Sequence, residues 1–120
     1  MTIQSFKDLT TWQEGHKLVL LIYQYTSKFP SKETYSLIDK MRRAVVSITS
    51  NVAEGFERKG NKEKIQFLHL ALGSCYELYN QIIISKDLTY LTAEEFTILE
   101  NKLNDVSRLI NGFIRSLNSN

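Results

Sequence analysis

The sequence predicts an all-α fold class in the form of a four-helix bundle. Apolar residues recur at the helical period of about 3.6 residues along four long segments. One Pro and five Gly in 120 residues leave too few breaks for a many-turned β fold. The length and the 42% apolar content are typical of one soluble globular domain, which we place at residues 1–120.

The first helix is predicted at residues 9–29. Thr11 and Glu14 have the spacing of a capping box, and Asp8 is an alternative N-cap. Pro30 ends the helix, because a residue that precedes proline is pushed out of helical geometry. The apolar stripe of this helix comprises Leu18, Ile22, Tyr25 and Phe29.

The second helix is predicted at residues 32–59, after Ser31 as its N-cap. Its apolar ridge comprises Ile38, Met41, Val45, Ile48, Val52 and Phe56. The opposite side carries what we call the polar stripe: Lys40, Arg43, Ser47, Asn51, Glu54 and Arg58. Weak helix formers such as Ser47 and Asn51 each cost roughly a few tenths of a kcal/mol against Ala in mid-helix. The polar stripe is therefore predicted to make specific side-chain contacts.

The third helix is predicted at residues 62–86, with Gly60 as the C′ residue of the second helix and Asn61 as a new N-cap. So short a connection makes the two helices antiparallel neighbours. The third helix has apolar residues on two sides, so it either lies centrally in the bundle or also contacts another subunit. The residues of one seam are Ile65, Leu68, Leu72, Cys75, Tyr79 and Ile82, and those of the other are Phe67, Ala71, Ser74, Leu78 and Gln81. Gly73 and Ser74 are small enough to let a neighbouring helix approach closely.

The fourth helix is predicted at residues 92–117. Thr92 and Glu95 form a capping box. The apolar residues of this helix follow heptad spacing. They are Phe96, Leu99, Leu103, Val106, Ile110, Phe113 and Leu117.

The residue pattern contains no catalytic motif, so we predict no catalytic residues, no metal site and no cofactor. There is no Gly-rich phosphate loop, Gly-x-Ser-x-Gly or His-Glu-x-x-His. We interpret Cys75 as a buried, inert thiol, and His16 and His69 as packed or surface residues. Glu77 is predicted to form an ion pair with Arg42 or Arg43.

No signal peptide is recognisable, and the longest apolar run, residues 18–23, is too short to cross a bilayer. The expected location is the cytoplasm, without a membrane partner.

Positive charge concentrates in residues 32–64, which carry eight Lys or Arg against five acids. The first functional hypothesis is RNA binding directed at the phosphate backbone. Base stacking is not expected, because no aromatic residue lies among the cations. The predicted contact residues are Lys40, Arg42, Arg43, Arg58, Lys59, Lys62 and Lys64.

The second hypothesis is a structural scaffold or an adaptor for a protein partner, with no role in nucleic-acid binding. Ser47, Asn51 and Glu54 would then hydrogen-bond to Arg43 or to a helix of a neighbouring subunit. The predicted interface or polar network comprises Arg43, Ser47, Asn51, Glu54 and Glu77.

Several segments together resemble a known family. They are Phe6-x-x-Leu9-x-x-Trp12-Gln13, Phe29-Pro30-x-x-Glu33-x-Tyr35-x-Leu37, Arg42-Arg43-Ala44-x-x-Ser47-Ile48-x-x-Asn51-x-Ala53-Glu54-Gly55 and Phe67-Leu68-x-x-Ala71-x-Gly73-Ser74-x-x-Glu77-Leu78. The chain resembles the bacterial 23S ribosomal RNA intervening-sequence proteins. It is also similar to the accessory variability determinant of diversity-generating retroelements.

The resemblance implies an antiparallel up-down-up-down bundle that assembles into a homopentameric ring and has no known catalytic activity. The retroelement relative is implicated in binding nucleic acid and a reverse transcriptase through a basic surface. The family usually carries Gln where this chain has Lys40, which adds a charge to the polar stripe.

Overall fold

The computed structural model describes residues 2–119 and confirms the all-α class, since that part of the chain contains no strand. Four long helices form the bundle: α1 (Thr10–Thr26), α2 (Asp39–Glu57), α3 (Asn61–Asp87) and α4 (Ala93–Asn118). α1 packs against α2 and α4, and α3 packs against the same two helices. The described chain measures 46 × 25 × 21 Å, close to the length of α3 and α4 at about 1.5 Å per residue.

The beginning of α1 differs from the prediction. A 3₁₀ turn, Phe6–Asp8, precedes α1, and Asp8 accepts a backbone hydrogen bond from Ser5 at 3.2 Å. Asp8 therefore caps this turn rather than α1. Thr11 is buried and Glu14 binds lysines, so the predicted capping box between them is wrong.

α1 ends at Thr26, three residues before the predicted end at Phe29. Thr26 and Ser27 donate side-chain hydrogen bonds of 2.6 Å to the carbonyls of Ile22 and Tyr23, respectively. These bonds satisfy carbonyls in the last turn of the helix. Phe29 remains buried and contacts the ring of Tyr90 at a centroid distance of 5.3 Å.

The segment before α2 is irregular, whereas a regular helix was predicted from residue 32. It contains a 3₁₀ turn, Ser31–Glu33, and then a π-helical turn, Thr34–Ile38. Ser31 does not act as an N-cap, because it is the first residue of the 3₁₀ turn and Pro30 occupies the cap position. This segment positions the Glu33 and Lys40 side chains beside α3.

The predicted roles of Gly60 and Asn61 are both wrong. Gly60 has an extended backbone, with φ −98° and ψ 146°, and precedes α3 as its N-cap rather than ending α2 in the left-handed region. Asn61 lies inside α3 and donates a side-chain hydrogen bond of 3.2 Å to the Leu117 carbonyl. The connection is as short as predicted, and α2 and α3 pack side by side.

The Thr92–Glu95 capping box is confirmed. Thr92 Oγ1 accepts from the Glu95 backbone at 3.0 Å, and Glu95 accepts from the Thr92 backbone at 2.9 Å. The core positions of the α4 heptads, Leu99, Leu103, Val106 and Ile110, are buried. The heptad pattern therefore predicted the packed face of α4 correctly as far as Ile110. Beyond it, Ile114, which the pattern omitted, is buried, and Phe113 and Leu117 are partly buried.

The core lies between the four helices. The ridge residues Met41, Val45, Ile48 and Val52 of α2 are all at most 1% exposed. α3 presents one seam to α2 and the other to α4, so both of its predicted seams are used inside the chain. No helix in the described chain is long and apolar enough to span a membrane.

Candidate functional site

The seven predicted RNA-contact residues form two groups at opposite ends of α2. Lys40, Arg42 and Arg43 lie in its first turns, and Arg58 follows its last residue. Lys59, Lys62 and Lys64 belong to the adjoining turn and the start of α3. At about 1.5 Å per residue, Lys40 and Arg58 are separated by roughly 27 Å along the helix axis. The seven residues therefore do not form one continuous patch.

Arg42 connects α1 to α2. Its Nε donates to Thr26 Oγ1 at 3.0 Å, and its guanidinium lies 4.5 Å from the centre of the Tyr23 ring. A cation over an aromatic ring contributes about 0.5–1 kcal/mol at an exposed site. These contacts indicate a structural role for Arg42 in holding α1 against α2.

Arg43 and Lys40 face solvent. Arg43 forms an ion pair with Asp39 at 3.1 Å, but its side chain is 80% exposed. An exposed pair of this kind contributes little stability. Lys40 is exposed and makes no ion pair or side-chain hydrogen bond to any residue of the described range 2–119.

Arg58 and Lys64 contact the end of α2. Arg58 forms an ion pair with Glu54 at 2.7 Å and lies 4.7 Å from the centre of the Phe67 ring. Lys64 donates to the Phe56 carbonyl at 2.6 Å, satisfying one of the last carbonyls of the helix. The expectation that no aromatic residue lies among the cations is wrong, because Tyr23, Phe56 and Phe67 each contact one.

Lys59 and Lys62, which we call the turn lysines, differ from the cations beside them. Both side chains are exposed. Neither forms an ion pair or a hydrogen bond with another residue between positions 2 and 119. Their ammonium groups are therefore available to an external anion.

The middle of the polar stripe contacts α3. Ser47 Oγ accepts hydrogen bonds from Ser74 Oγ at 2.8 Å and from Asn51 Nδ2 at 3.1 Å. Asn51 Nδ2 also lies 2.9 Å from the Ser47 carbonyl. Ser47 therefore contributes to the contact between α2 and α3 within one chain, and Asn51 bonds to Ser47 from the next turn of α2.

The remaining network residues do not join this cluster. Arg43 pairs with Asp39, and Glu54 pairs with Arg58, so the expected bonds from the stripe to Arg43 are not formed. Glu77 is exposed and forms no ion pair with Arg42 or Arg43. The predicted Glu77 ion pair is wrong, because its side chain points to solvent on α3.

Gly15 and Gly55 pack closely against neighbouring helices, and neither contact was predicted from the sequence. A Cβ at Gly55 would lie 3.2 Å from Phe67 Cβ, and one at Gly15 would lie 3.0 Å from Thr49 Cγ2. Glycine inside a helix is the available sequence signal for close packing. Ser74 meets a neighbouring helix as predicted, but Gly73 faces open space, so the prediction for Gly73 is wrong.

The other candidate reactive groups lie apart from these surfaces. Cys75 is 3% exposed, and burial raises the pKa of its thiol to about 11, which keeps it protonated near neutral pH. His16 stacks on Trp12 with ring centres 4.9 Å apart. Within residues 2–119, no group of three His, Cys, Asp or Glu side chains could hold a metal ion.

The sequence profile described as "23S rRNA-intervening sequence protein" matches residues 7–112. The chain belongs to this family. The match includes all of α1, α2 and α3 and most of α4. No curated protein matches the sequence significantly.

A solved structure shares this fold. A protein of unknown function from the S23 ribosomal protein family of Bacteroides thetaiotaomicron VPI-5482 superposes with a TM-score of 0.79 and 16% sequence identity. The superposition covers 88% of the present chain and 98% of the other. At this identity the likeness establishes the shared fold.

Proposed function

We propose that the protein is a non-enzymatic RNA-binding bundle that contacts the phosphate backbone through the turn between α2 and α3. The observation that carries the proposal is the availability of the turn lysines, Lys59 and Lys62, beside cations that are engaged within the chain. The family description, which refers to 23S rRNA intervening sequences, supports RNA as the polyanion.

The local structure favours phosphate over bases. The N-terminus of α3 begins after Gly60 and has no side-chain cap, so its first N–H groups add to the positive potential of the turn lysines. The nearest aromatic rings, Phe56 and Phe67, lie beneath Lys64 and Arg58. With a net charge of +2 for the whole chain, each copy should bind weakly.

The test is fluorescence anisotropy with a labelled RNA of mixed sequence at several salt concentrations. Two phosphate contacts should give a log–log slope of about −1.4 to −1.8. The double variant Lys59→Met, Lys62→Met should remove most of that slope. Lys32→Met is the matched control, because Lys32 is an exposed lysine at the opposite end of the bundle. A flat salt response, or an equal loss in the control, would contradict the proposal.

A second candidate function is a self-assembling scaffold, and the outer surface of α3 favours it. Leu70 is 57% exposed and Tyr76 is 75% exposed, although both seams of α3 are already used inside the chain. A helix that is apolar around most of its circumference is typical of a buried position. We propose that a second copy of the chain covers this surface.

Light scattering tests the scaffold proposal. The wild type should have the mass of two or more chains of 13.9 kDa each, and Leu70→Lys should shift that mass towards the monomer. Leu20→Lys is a matched control, because Leu20 on α1 is also 57% exposed. A monomeric wild type, or the same change of mass in both variants, would overturn self-assembly through α3. A different protein partner would then be the alternative occupant of this surface.

A further inference from the structure

The side of α2 that faces away from the core carries opposite charges at its two ends. Its residues recur at spacings of three or four, which places them on one side of the helix. Each is exposed or half-buried, so the rest of the described chain leaves this side open. We call it the outer α2 face. Its residues are Arg43, Val46, Ser50, Ala53, Glu54 and Glu57.

Two depressions lie along the outer α2 face, with volumes of about 460 and 480 Å³, and Ser50 lines both of them. The charged residues that line the first are Asp39, Arg42 and Arg43. The second is lined by Glu54 and Glu57, without a cation. The outer α2 face is therefore basic before Ser50 and acidic after it.

The charged groups at the two ends can reach another molecule. The Arg43 side chain is 80% exposed, and an ion pair as exposed as its pair with Asp39 contributes little stability. Glu57 is exposed and takes part in none of the ion pairs within residues 2–119. A partner with complementary charges could therefore bind both ends without breaking a strong contact.

The order of the charges along α2 is self-complementary about Ser50. Arg43 lies seven residues before Ser50 and Glu57 lies seven residues after it. Each is therefore about 10 Å from Ser50 along the helix axis. A second α2 helix that crosses antiparallel at Ser50 would bring its Glu57 to Arg43 and its Arg43 to Glu57. A two-fold axis repeats every contact in this way.

The centre of the outer α2 face permits a close approach. Ser50 and Ala53 have short side chains and no charge. Val46 is 39% exposed, and Tyr23 of α1, which lines the same depression, is 41% exposed. Removing this apolar surface from water on contact with a second copy is favourable. The outer α2 face thus has an uncharged centre between ends of opposite charge.

We propose that the outer α2 face binds a second copy of the chain, with the two α2 helices antiparallel and crossing at Ser50. Two reciprocal pairs between Arg43 and Glu57 fix the direction of the helices, and Val46 packs at the centre. The interface uses neither the turn lysines nor the outer surface of α3. It is therefore an assembly contact beyond both proposed functions.

Cross-linking through Ser50→Cys in the full chain tests the crossing point. Packed helices about 8–10 Å apart bring Cα atoms at their crossing to roughly 4–5 Å, which a disulfide can bridge. Under mild oxidation this variant should form a disulfide-linked dimer at least about tenfold faster than Asn101→Cys, because the dimer holds the thiols at a high effective concentration. Asn101 is an exposed position on α4, and Cys75, which is present in both variants, is 3% exposed. Equal rates would overturn the proposal.

A combined variant separates this interface from the α3 surface. Leu70→Lys added to Ser50→Cys should leave the rate of cross-linking unchanged, because Leu70 lies on α3. Loss of cross-linking in the combined variant would assign the contact to α3 and overturn the proposal.

Charge exchange tests the pairing, with dimer dissociation constants measured by analytical ultracentrifugation. Arg43→Glu and Glu57→Arg should each weaken the dimer at least about tenfold, because each places like charges opposite one another at both ends. The double variant restores opposite charges and should bind within about threefold of the wild type. Arg108→Glu is the matched control, because Arg108 is 76% exposed and also pairs with an aspartate of its own helix.

Circular dichroism checks that each charge variant is folded. The absence of a wild-type dimer at about 1 mM chain would overturn the proposal. A folded double variant that dimerises as weakly as the single variants, or an equal loss in Arg108→Glu, would do the same.

Discussion

Ser74 on α3 donates a 2.8 Å hydrogen bond to Ser47 on α2, and Ser47 also accepts from Asn51. The three side chains are half-buried between two helices that pack side by side. The weak helix formers in α2 are thus partly compensated by a contact within the chain. This relationship indicates that mutations here affect stability before they affect any external partner.

The first prediction concerns this hydrogen bond. Ser74→Ala and Ser47→Ala should each lower the free energy of unfolding by about 1 kcal/mol. The loss should be larger for Ser47→Ala, because the Ser47 hydroxyl accepts hydrogen bonds from both Ser74 and Asn51. The double variant should lose less than the sum of the two. Urea denaturation measures all three. Ser50→Ala, an exposed position on the same helix, is the control. Strictly additive losses would show that the two hydroxyls are not coupled.

The second prediction compares two glycines inside helices. Gly55→Ala should lower the free energy of unfolding by up to about 2 kcal/mol, because overpacking against Phe67 and the Lys64 carbonyl outweighs the gain in helix propensity. Gly73→Ala should raise it by about 0.5–1 kcal/mol, since its Cβ would meet open space. Thermal unfolding measures both. A stabilised Gly55→Ala would contradict the close approach of α2 and α3 at this position.

The third prediction concerns Thr89, which has a positive φ of 65° in the turn after α3. Its backbone N–H bonds to the Lys86 carbonyl at 2.9 Å, and that of Tyr90 bonds to Ser85, which is the Schellman pattern. Thr89→Gly should raise the free energy of unfolding by about 0.5–1 kcal/mol, because glycine adopts this conformation without strain. Thr89→Ala keeps a Cβ and should give no such gain in a denaturation curve. Equal stabilisation by both variants would contradict the strain.

The fourth prediction concerns pH. Hydrogen bonds from Lys102 and then Lys17, each 2.8 Å, hold the pKa of Glu14 below its usual value. The pKa is lower in the folded state than in the unfolded state, so this stabilisation is present above the unfolded pKa of about 4.3. It is lost as pH falls through the folded pKa.

Glu14→Gln should therefore lose less stability than the wild type when the pH falls from about 5 to 3. Melting temperatures across this range measure the difference. Glu63→Gln is the control, because Glu63 is an exposed glutamate with no ion pair in the described residues. Parallel curves for the wild type and Glu14→Gln would contradict the prediction.

Most of the architecture could be predicted from local patterns. The heptads of α4, the ridge of α2 and the Thr92–Glu95 box depend on residues close in sequence, and each was found as predicted. The helix ends at residues 26–39 and 58–61 differ from the prediction. The reason is that Pro30, Gly60 and several side-chain hydroxyls allow more than one local conformation. Packing against the rest of the bundle selects among them.

The candidate site was less predictable than the fold. Seven cations within 25 residues suggested one basic surface, but Arg42, Arg58 and Lys64 are held by contacts within the chain. Arg43 also pairs with Asp39, although its side chain faces solvent. Their partners include Tyr23 and Thr26, which are distant from Arg42 in sequence. Each residue of a helix adds about 1.5 Å along the helix axis. The cations in the first turns of α2 and those that follow its last residue therefore lie at opposite ends of that helix.

By itself the sequence determined that this chain forms four long helices, since hydrophobic periodicity is a property of consecutive residues. The tertiary structure alone decided which polar side chains remain available. It directs Ser47, Arg42 and Arg58 to partners within the chain and leaves Lys40, Lys59 and Lys62 in solvent. The reason is physical: a side chain's partners depend on which helix faces it, and that is fixed by burial of the apolar faces of all four helices together.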